Sequence, residues 1–216
     1  MTEGFPIPAA IVQSEQVILR SRFISSLAPA PDPASARAFI AEIKELYDDA
    51  SHNCWAFVAG APGSTASVGC SDDGEPTGTA GQPMLKVLLH SGVGEIVAVV
   101  TRYFGGTKLG RGGLVRAYSG GVQAALESLD TVRKVEMVRL ALMLDYPMLD
   151  RFQRSGTRFE VQVEETEFSD RVQIRVVLPE YRREEFVRWF TDLTHGKGEV
   201  RDLLGGSNSS LKSAGI

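Results

Sequence analysis

The hydrophobic pattern of the first 130 residues predicts a domain of mixed strands and helices. Apolar side chains recur at helical spacing after Asp32, which suits a helix N-cap and is followed by Pro33 at the first helical position. The apolar run at 96–100 is continuous, as is typical of a buried strand. The predicted strands cover 16–27, 53–59, 67–71 and 96–100, and two further helices are predicted at 84–89 and 112–129.

The pattern from 131 onward predicts a second α+β domain. Its segments follow the order β-α-β-β-α-β, with a hairpin around Ser169, which is the order of a ferredoxin-like split unit. We therefore divide the chain into four parts. They are a Pro/Ala-rich N-terminal extension at 1–15 that lies loosely over the surface, a first domain at 16–130, a second domain at 131–204 and a flexible Ser/Gly-rich tail at 205–216.

Composition indicates an ordinary globular protein. Hydrophobic residues make up 43% of the 216 positions, and the formal net charge of −4 argues against a general polyanion binder while leaving room for a local basic patch. The two cysteines form neither a disulfide framework nor a zinc site. The start of the chain lacks the features of a signal peptide, and no apolar stretch approaches the ~18 residues of a membrane span. These features predict a cytoplasmic protein with no membrane partner.

A glycine-rich segment at 105–113 follows the buried strand and opens a helix, where backbone N–H groups can bind anions. Between 96 and 126 the chain has four basic residues and no acidic one, which indicates an anion-facing surface. The segment matches neither the P-loop nor the dinucleotide pattern, so a tightly packed turn is the alternative. The candidate residues for binding nucleic acid, another anion or a partner are Arg102, Tyr103, Gly105, Gly106, Lys108, Gly110, Arg111, Gly112 and Arg116.

An acidic turn at 71–83 contains Asp72, Asp73 and Glu75. Clustered carboxylates can hold Mg²⁺, but Asp-Asp-Gly also suits a turn, and the acids could cap a helix or pair with Arg102 or Lys108. We expect no metal site and no cofactor.

His52 and Cys54 share one face of a predicted strand. Nucleophilic catalysis would also need an orienting group and a lowered thiol pKa, and the sequence shows neither. Cys54 is expected to be a small buried residue, and His52 to bond structurally with the Asp73 or Thr79 segment. No catalytic residue is predicted.

Three segments together resemble the YigZ/IMPACT family, an uncharacterised family once numbered 0029. They are Asp-Ala-Ser-His-Asn-Cys-Trp-Ala at 49–56, Ser-Asp-Asp-Gly-Glu-Pro-Thr-Gly-Thr-Ala-Gly at 71–81 and Val-Val-Thr-Arg-Tyr-Phe-Gly-Gly-Thr-Lys-Leu-Gly at 99–110. The last is the signature segment of the family. The resemblance covers about 22–126, and 131–204 is similar to the C-terminal domain of bacterial members.

The resemblance implies an α+β fold, with a first domain like domain 2 of ribosomal protein S5 and a ferredoxin-like second domain. Eukaryotic relatives regulate translation by occupying a protein that activates a stress-response kinase. Those relatives carry an additional N-terminal interaction domain, so this partner is not carried over. Within the motifs, His52, Asp72, Asp73, Glu75 and Thr79 are family residues with a structural interpretation.

Three functions follow as hypotheses. The first is a non-enzymatic regulator of translation that binds RNA, the ribosome or a translation-associated protein through the basic glycine-rich segment, with the C-terminal sheet as a second surface. The second is an enzyme for a small anion or nucleotide that uses this segment with Asp72, Asp73 and Glu75. The third is a protein-interaction module whose glycines serve packing alone.

Overall fold

The computed structural model describes residues 4–203, and the backbone of 210–212. It contains two compact units, the first at Phe5–Arg133 and the second formed by Gly4 and the described residues from Lys134 onward. Both mix helices with strands. No helix of the described chain is long and apolar enough to cross a bilayer.

The first unit places one sheet between two layers of helices. Strands β2 to β6 form the sheet in the order β2-β3-β6-β4-β5, and the paired strands are antiparallel. Helix α1 packs on one face, and α2 and α3 pack on the other. The elements are β1 Phe5–Pro8, β2 Val12–Ile18, β3 Ser21–Pro29, α1 Pro33–Leu46, β4 His52–Val58, β5 Val68–Ser71, α2 Gly81–His90, β6 Ile96–Tyr103 and α3 Gly110–Glu127.

Strand β6 is buried on both faces, which explains its continuous apolar run. Ile96, Ala98 and Val100 point to the side of α2 and α3, whereas Val97 and Val99 point to α1. Helix α1 begins as predicted, because the carboxylate of Asp32 accepts a hydrogen bond from the Ser35 N–H at 2.7 Å.

Two predictions for the N-terminal region are wrong. Residues 5–8 and 12–15 do not lie loosely, since they belong to β1 and β2. The single strand predicted at 16–27 is a hairpin of β2 and β3, which turns at Leu19 and Arg20 with φ of 46° and 66°. Neither residue is a Gly, Asn or Asp, so the turn carries no sequence signal.

The second unit has a four-stranded antiparallel sheet in the order β11-β8-β10-β9. Helices α4 and α5 cover one face with an aromatic core that includes Phe152, Phe159, Phe186 and Phe190. Short 3₁₀ turns lie at Thr157–Phe159 and Glu180–Arg182. Strand β7, Thr131–Val135, includes the last residues of the first unit and the first of the second. The elements that follow are β8 Met137–Leu144, α4 Tyr146–Gly156, β9 Gln162–Phe168, β10 Val172–Pro179, α5 Arg183–Leu193, β11 Glu199–Asp202 and β12 Ser210–Lys212. Most of the tail predicted at 205–216 lies outside the described residues, and 210–212 form β12.

Candidate nucleic-acid interface

Arg102 is buried and does not belong to an exposed basic surface, which corrects the sequence prediction. Its Nη1 lies 2.6 Å from Oε1 of Glu75, and the two side chains are 6% and 3% exposed. The Tyr118 hydroxyl donates to the same carboxylate oxygen at 2.7 Å, and Nη2 of Arg102 donates to Ser21 Oγ at 3.3 Å. The Arg102 charge is therefore compensated inside the protein.

Asp72 holds the acidic turn closed. Its carboxylate accepts hydrogen bonds from the backbone N–H groups of Gly78 at 2.8 Å and of Ala80 and Gly81 at 2.9 Å, the last two at the start of α2. Partial burial alone would raise the pKa of Asp72, but these donors and the nearby Arg111 lower it overall. Asp72 therefore caps α2 from eight residues upstream.

Asp73 ties the same turn to β4 and α1. Its carboxylate accepts from Lys44 Nζ at 2.5 Å and from the Asn53 N–H at 2.7 Å. Partial burial opposes ionisation here too, yet these bonds leave the pKa of Asp73 below its usual value. The Asp73 carbonyl lies 2.8 Å from Nδ1 of His52, the structural contact expected of that histidine. The Thr79 hydroxyl donates to the Pro76 carbonyl at 2.5 Å.

Because of these contacts, the three carboxylates of the acidic turn do not converge on one point where a metal ion could bind. Asp72 binds amides, Asp73 binds Lys44, and Glu75 binds Arg102 and Tyr118. Among the described residues no group of three or more His, Cys, Asp or Glu side chains could hold a metal ion.

Cys54 is a buried thiol that donates to the Asp72 carbonyl at 2.9 Å. Burial raises its pKa to about 12. A thiol with this pKa is a poor nucleophile at neutral pH.

The glycines of the signature segment serve different purposes. A Cβ on Gly105 would lie 2.0 Å from the Arg20 carbonyl, so this glycine permits a close backbone approach. Its N–H donates to Ser21 Oγ at 3.2 Å. Gly106 and Gly110 instead have open space around them and φ of 81° and 72°, which glycine adopts without strain.

Three basic residues of the segment are exposed. Lys108, Arg111 and Arg116 form no ion pair with any described residue, although Nη2 of Arg111 donates to the Thr77 carbonyl at 2.8 Å. They flank the first turns of α3, which has no side-chain cap and no acidic residue in its first turn. The amides at Gly110 and Gly112 and the three cations therefore lie on one short exposed segment, which suits phosphate.

The two aromatic residues of this segment differ in whether their rings are free to contact a ligand. The Tyr103 hydroxyl donates to Asp49 at 2.6 Å, which ties that ring to the loop before β4. Phe104 is 49% exposed, and the Arg102 guanidinium lies 5.4 Å from its ring centre. Phe104 can therefore offer one ring face to a stacking ligand.

Sequence reasoning missed Ser21 and Lys86. Ser21 Oγ accepts from both Arg102 and Gly105, and nothing in its sequence context indicates this. Lys86 is an exposed residue of α2 and extends the basic side of the unit. A charge count that began at 76 and not at 96 would have included Lys86. That longer span, 76–126, is still basic, because Glu95 is its only acidic residue.

The open sheet face of the second unit does not form a second basic surface. Arg175 pairs with Glu165 at 2.5 Å across β10 and β9, and Arg201 pairs with Glu199 at 2.8 Å along β11. Because these cations already have carboxylate partners, the face offers little net positive charge to a polyanion.

Comparisons with known proteins agree with the motifs. The Impact N-terminal domain matches residues 19–126, and a domain of unknown function, DUF1949, matches residues 142–197. The IMPACT family member YigZ of Escherichia coli K12 is 43% identical over 90% of this chain and 95% of its own. The IMPACT family member YvyE of Bacillus subtilis 168 is 37% identical over 88% of this chain and 87% of its own.

A solved structure described as that of a hypothetical protein is also similar. It has a TM-score of 0.66 and 42% identity, and the match covers 93% of this chain and 97% of the other. The motifs, the two matched domains and the extent of these alignments show that this chain belongs to the IMPACT family.

Proposed function

We propose that this protein is a non-enzymatic cytoplasmic regulator of translation that binds RNA, free or in the ribosome, through the start of α3. The observation that carries the proposal is the set of three exposed cations, Lys108, Arg111 and Arg116, which form no ion pair with any described residue and lie around a helix start whose N-cap, Leu109, makes no side-chain capping bond. Backbone N–H groups and cations together suit phosphate. Family membership supports the connection with translation.

The proposal includes the fold types implied by the sequence. The first domain, at 16–130, is assigned the fold of ribosomal protein S5 domain 2. The second, at 131–204, is assigned the ferredoxin-like fold, supported by its β-α-β-β-α-β order and its sheet order β11-β8-β10-β9.

The enzyme hypothesis is less well supported. It requires Asp72, Asp73 and Glu75 to face a nucleotide or Mg²⁺, whereas each already binds groups of the protein. A thermal-shift screen with ATP and GTP, with and without Mg²⁺, tests it directly. A nucleotide at 100 times its Kd would add about 2.7 kcal/mol of stability.

Fluorescence anisotropy with a generic single-stranded RNA, and sedimentation with ribosomal subunits, test the RNA proposal. We expect binding that is much weaker in Lys108→Glu/Arg111→Glu, while the circular dichroism spectrum and unfolding midpoint stay unchanged. A folded wild-type protein that binds neither the RNA nor the subunits would contradict the proposal. Binding that is equally strong in the double variant would also contradict it.

A further inference from the structure

A long groove runs between α2 and α3 in the first unit. Its larger part has a volume of about 740 Å³ and extends from Gly78 along both helices to Gln123. A second part, of about 610 Å³, shares Val87, His90 and Gln123 with the first and continues to Glu127. Helix α2 has ten residues and is therefore about 15 Å long, which matches nearly three turns of a partner helix.

Aliphatic side chains form much of the groove, beside the polar residues Gln82, Ser119 and Gln123. Leu85, Val87 and Leu89 come from α2, and Val115, which is 36% exposed, comes from α3. None of the described residues that line the larger part is Phe, Tyr or Trp, and the His90 imidazole is the one ring there that could stack on a base. Such walls accept the Leu or Ile side chains of a peptide, whereas single-stranded nucleic acid binds to aromatic platforms on which bases stack.

Two cations, Lys86 and Arg111, and two carboxylates, Asp72 and Glu127, lie around the groove. Helix α2 contains no acidic residue, and α3 contains none before Glu127. Lys86 lines the groove. Arg111 lies four residues before Val115 and so on the same face of α3, and its bond to the Thr77 carbonyl holds it next to Gly78. The end near Gly78 carries Arg111 together with the Asp72 carboxylate, which accepts from the Gly78 N–H at 2.8 Å. Lys86, farther along, forms no ion pair with any described residue, and the far end carries Glu127.

We propose that this groove binds a short amphipathic helix of a partner protein, with apolar side chains between α2 and α3 and acidic side chains beside Lys86 and Arg111. Charge complementarity selects this occupant, because Lys86 lines the groove without an ion pair to any described residue, and Arg111 adds a second cation near Gly78, where the Asp72 carboxylate is already bonded to three backbone N–H groups. The aliphatic walls provide positions for anchors at helical spacing, as in other helix-in-groove complexes. This surface is additional to the RNA-binding segment and shares Arg111 with it, so the test below changes Lys86 and Val115 in the groove and Lys108 in the segment.

The test uses fluorescein-labelled synthetic peptides of about 12 residues, long enough to span the larger part of the groove. One has Leu at i, i+3, i+4 and i+7 with Glu elsewhere, the second replaces Glu by Lys, and the third replaces Leu by Ser. We expect the Leu/Glu peptide to bind at least about tenfold more tightly than either of the others. Amide chemical-shift changes should concentrate in α2 and α3.

Two groove variants and two controls complete the experiment. Lys86→Glu and Val115→Glu should each weaken binding of the Leu/Glu peptide by about tenfold, through repulsion and loss of apolar contact. Arg37→Glu makes the same charge change on α1, on the opposite side of the sheet, and should leave binding unchanged. Lys108→Glu should weaken RNA binding but not peptide binding, which separates this proposal from the RNA proposal.

Three results would overturn the groove proposal. The first is an affinity for the Leu/Glu peptide no greater than for the Leu/Lys or Ser/Glu peptide. The second is unchanged peptide affinity in both groove variants. The third is loss of RNA binding in Val115→Glu without any peptide binding by the wild-type protein, which would assign the groove to RNA.

Discussion

The guanidinium of Arg102 and the carboxylate of Glu75 form a buried ion pair at 2.6 Å that joins two of the three family motifs. Arg102 lies at the end of β6 in the signature segment, and Glu75 lies in the acidic turn before α2. Tyr118 from α3 donates to the same carboxylate. The pair thus fixes the acidic turn and the signature segment against α3. The exposed cations lie around the start of this helix, so the pair helps to hold them in position.

Removing one member of this pair should destabilise the protein strongly. Arg102→Met leaves a buried carboxylate without its counter-charge, which costs about 3–5 kcal/mol. The double variant Glu75→Leu/Arg102→Met should recover much of this loss, because no unpaired charge remains. Urea unfolding measures both free energies. The exposed pair Arg22–Glu15 is the control, and Arg22→Met should cost less than about 1 kcal/mol. Equal costs for Arg102→Met and Arg22→Met would show that the buried pair has no special role.

Gly105 and Gly106 should respond differently to alanine. Gly105→Ala places a Cβ 2.0 Å from the Arg20 carbonyl and must move one backbone segment, at a cost of about 3 kcal/mol or more. Gly106→Ala meets open space and costs about 1 kcal/mol for its positive φ. The free energy of unfolding of each variant tests this order, and the reverse order would contradict the packing assigned to Gly105.

Stability should decrease as the solution becomes acidic. The pKa values of Asp72 and Asp73 are lowered in the folded protein, so the unfolded chain binds protons more readily. Their contribution is complete above the unfolded pKa of about 3.9 and is lost as pH falls through the folded values. Asp72→Asn should lower the free energy of unfolding at pH 7 and make its decline between about pH 5 and pH 3 shallower. A parallel decline in variant and wild type would refute the assignment to Asp72.

Cys54 should not react in the folded protein. Burial raises its pKa to about 12, so at pH 8 a thiol reagent such as DTNB should modify Cys70 only, whose side chain is half-buried. In Cys70→Ser no fast reaction should remain, and in guanidinium chloride both wild-type thiols should react. A fast reaction of folded Cys70→Ser with DTNB would contradict this prediction and would favour a catalytic role for Cys54.

Local sequence patterns were sufficient to predict several parts of the fold. The Asp32–Pro33 start of α1 and the continuous apolar run of β6 appear where the sequence places them, because capping and burial on two faces depend on neighbouring residues. The hairpin at Leu19 and Arg20 was missed because its residues have no preference for positive φ.

The candidate site was only partly predictable. A structural bond of His52 with the Asp73 or Thr79 segment was expected, and the Asp73 carbonyl makes it, whereas the burial of Arg102 was not expected. Pairing of the acidic turn with Arg102 was one of the alternatives, but a charge count along the chain cannot show that Glu75, 27 positions away, makes the pair or that both side chains are buried. Lys108, Arg111 and Arg116 are the basic residues of this segment that remain exposed.

The salt dependence of RNA binding tests the central claim most directly. The measurement is the slope of log Kobs against log salt concentration, for the wild type and for two double variants of equal charge. In Lys108→Glu/Arg111→Glu the loss of two phosphate contacts should make the slope shallower by about 1.4 or more. In Arg37→Glu/Arg151→Glu, with exposed residues outside α3, the wild-type slope should persist. Equal slopes in the two double variants would show that net charge, and not the start of α3, binds the RNA.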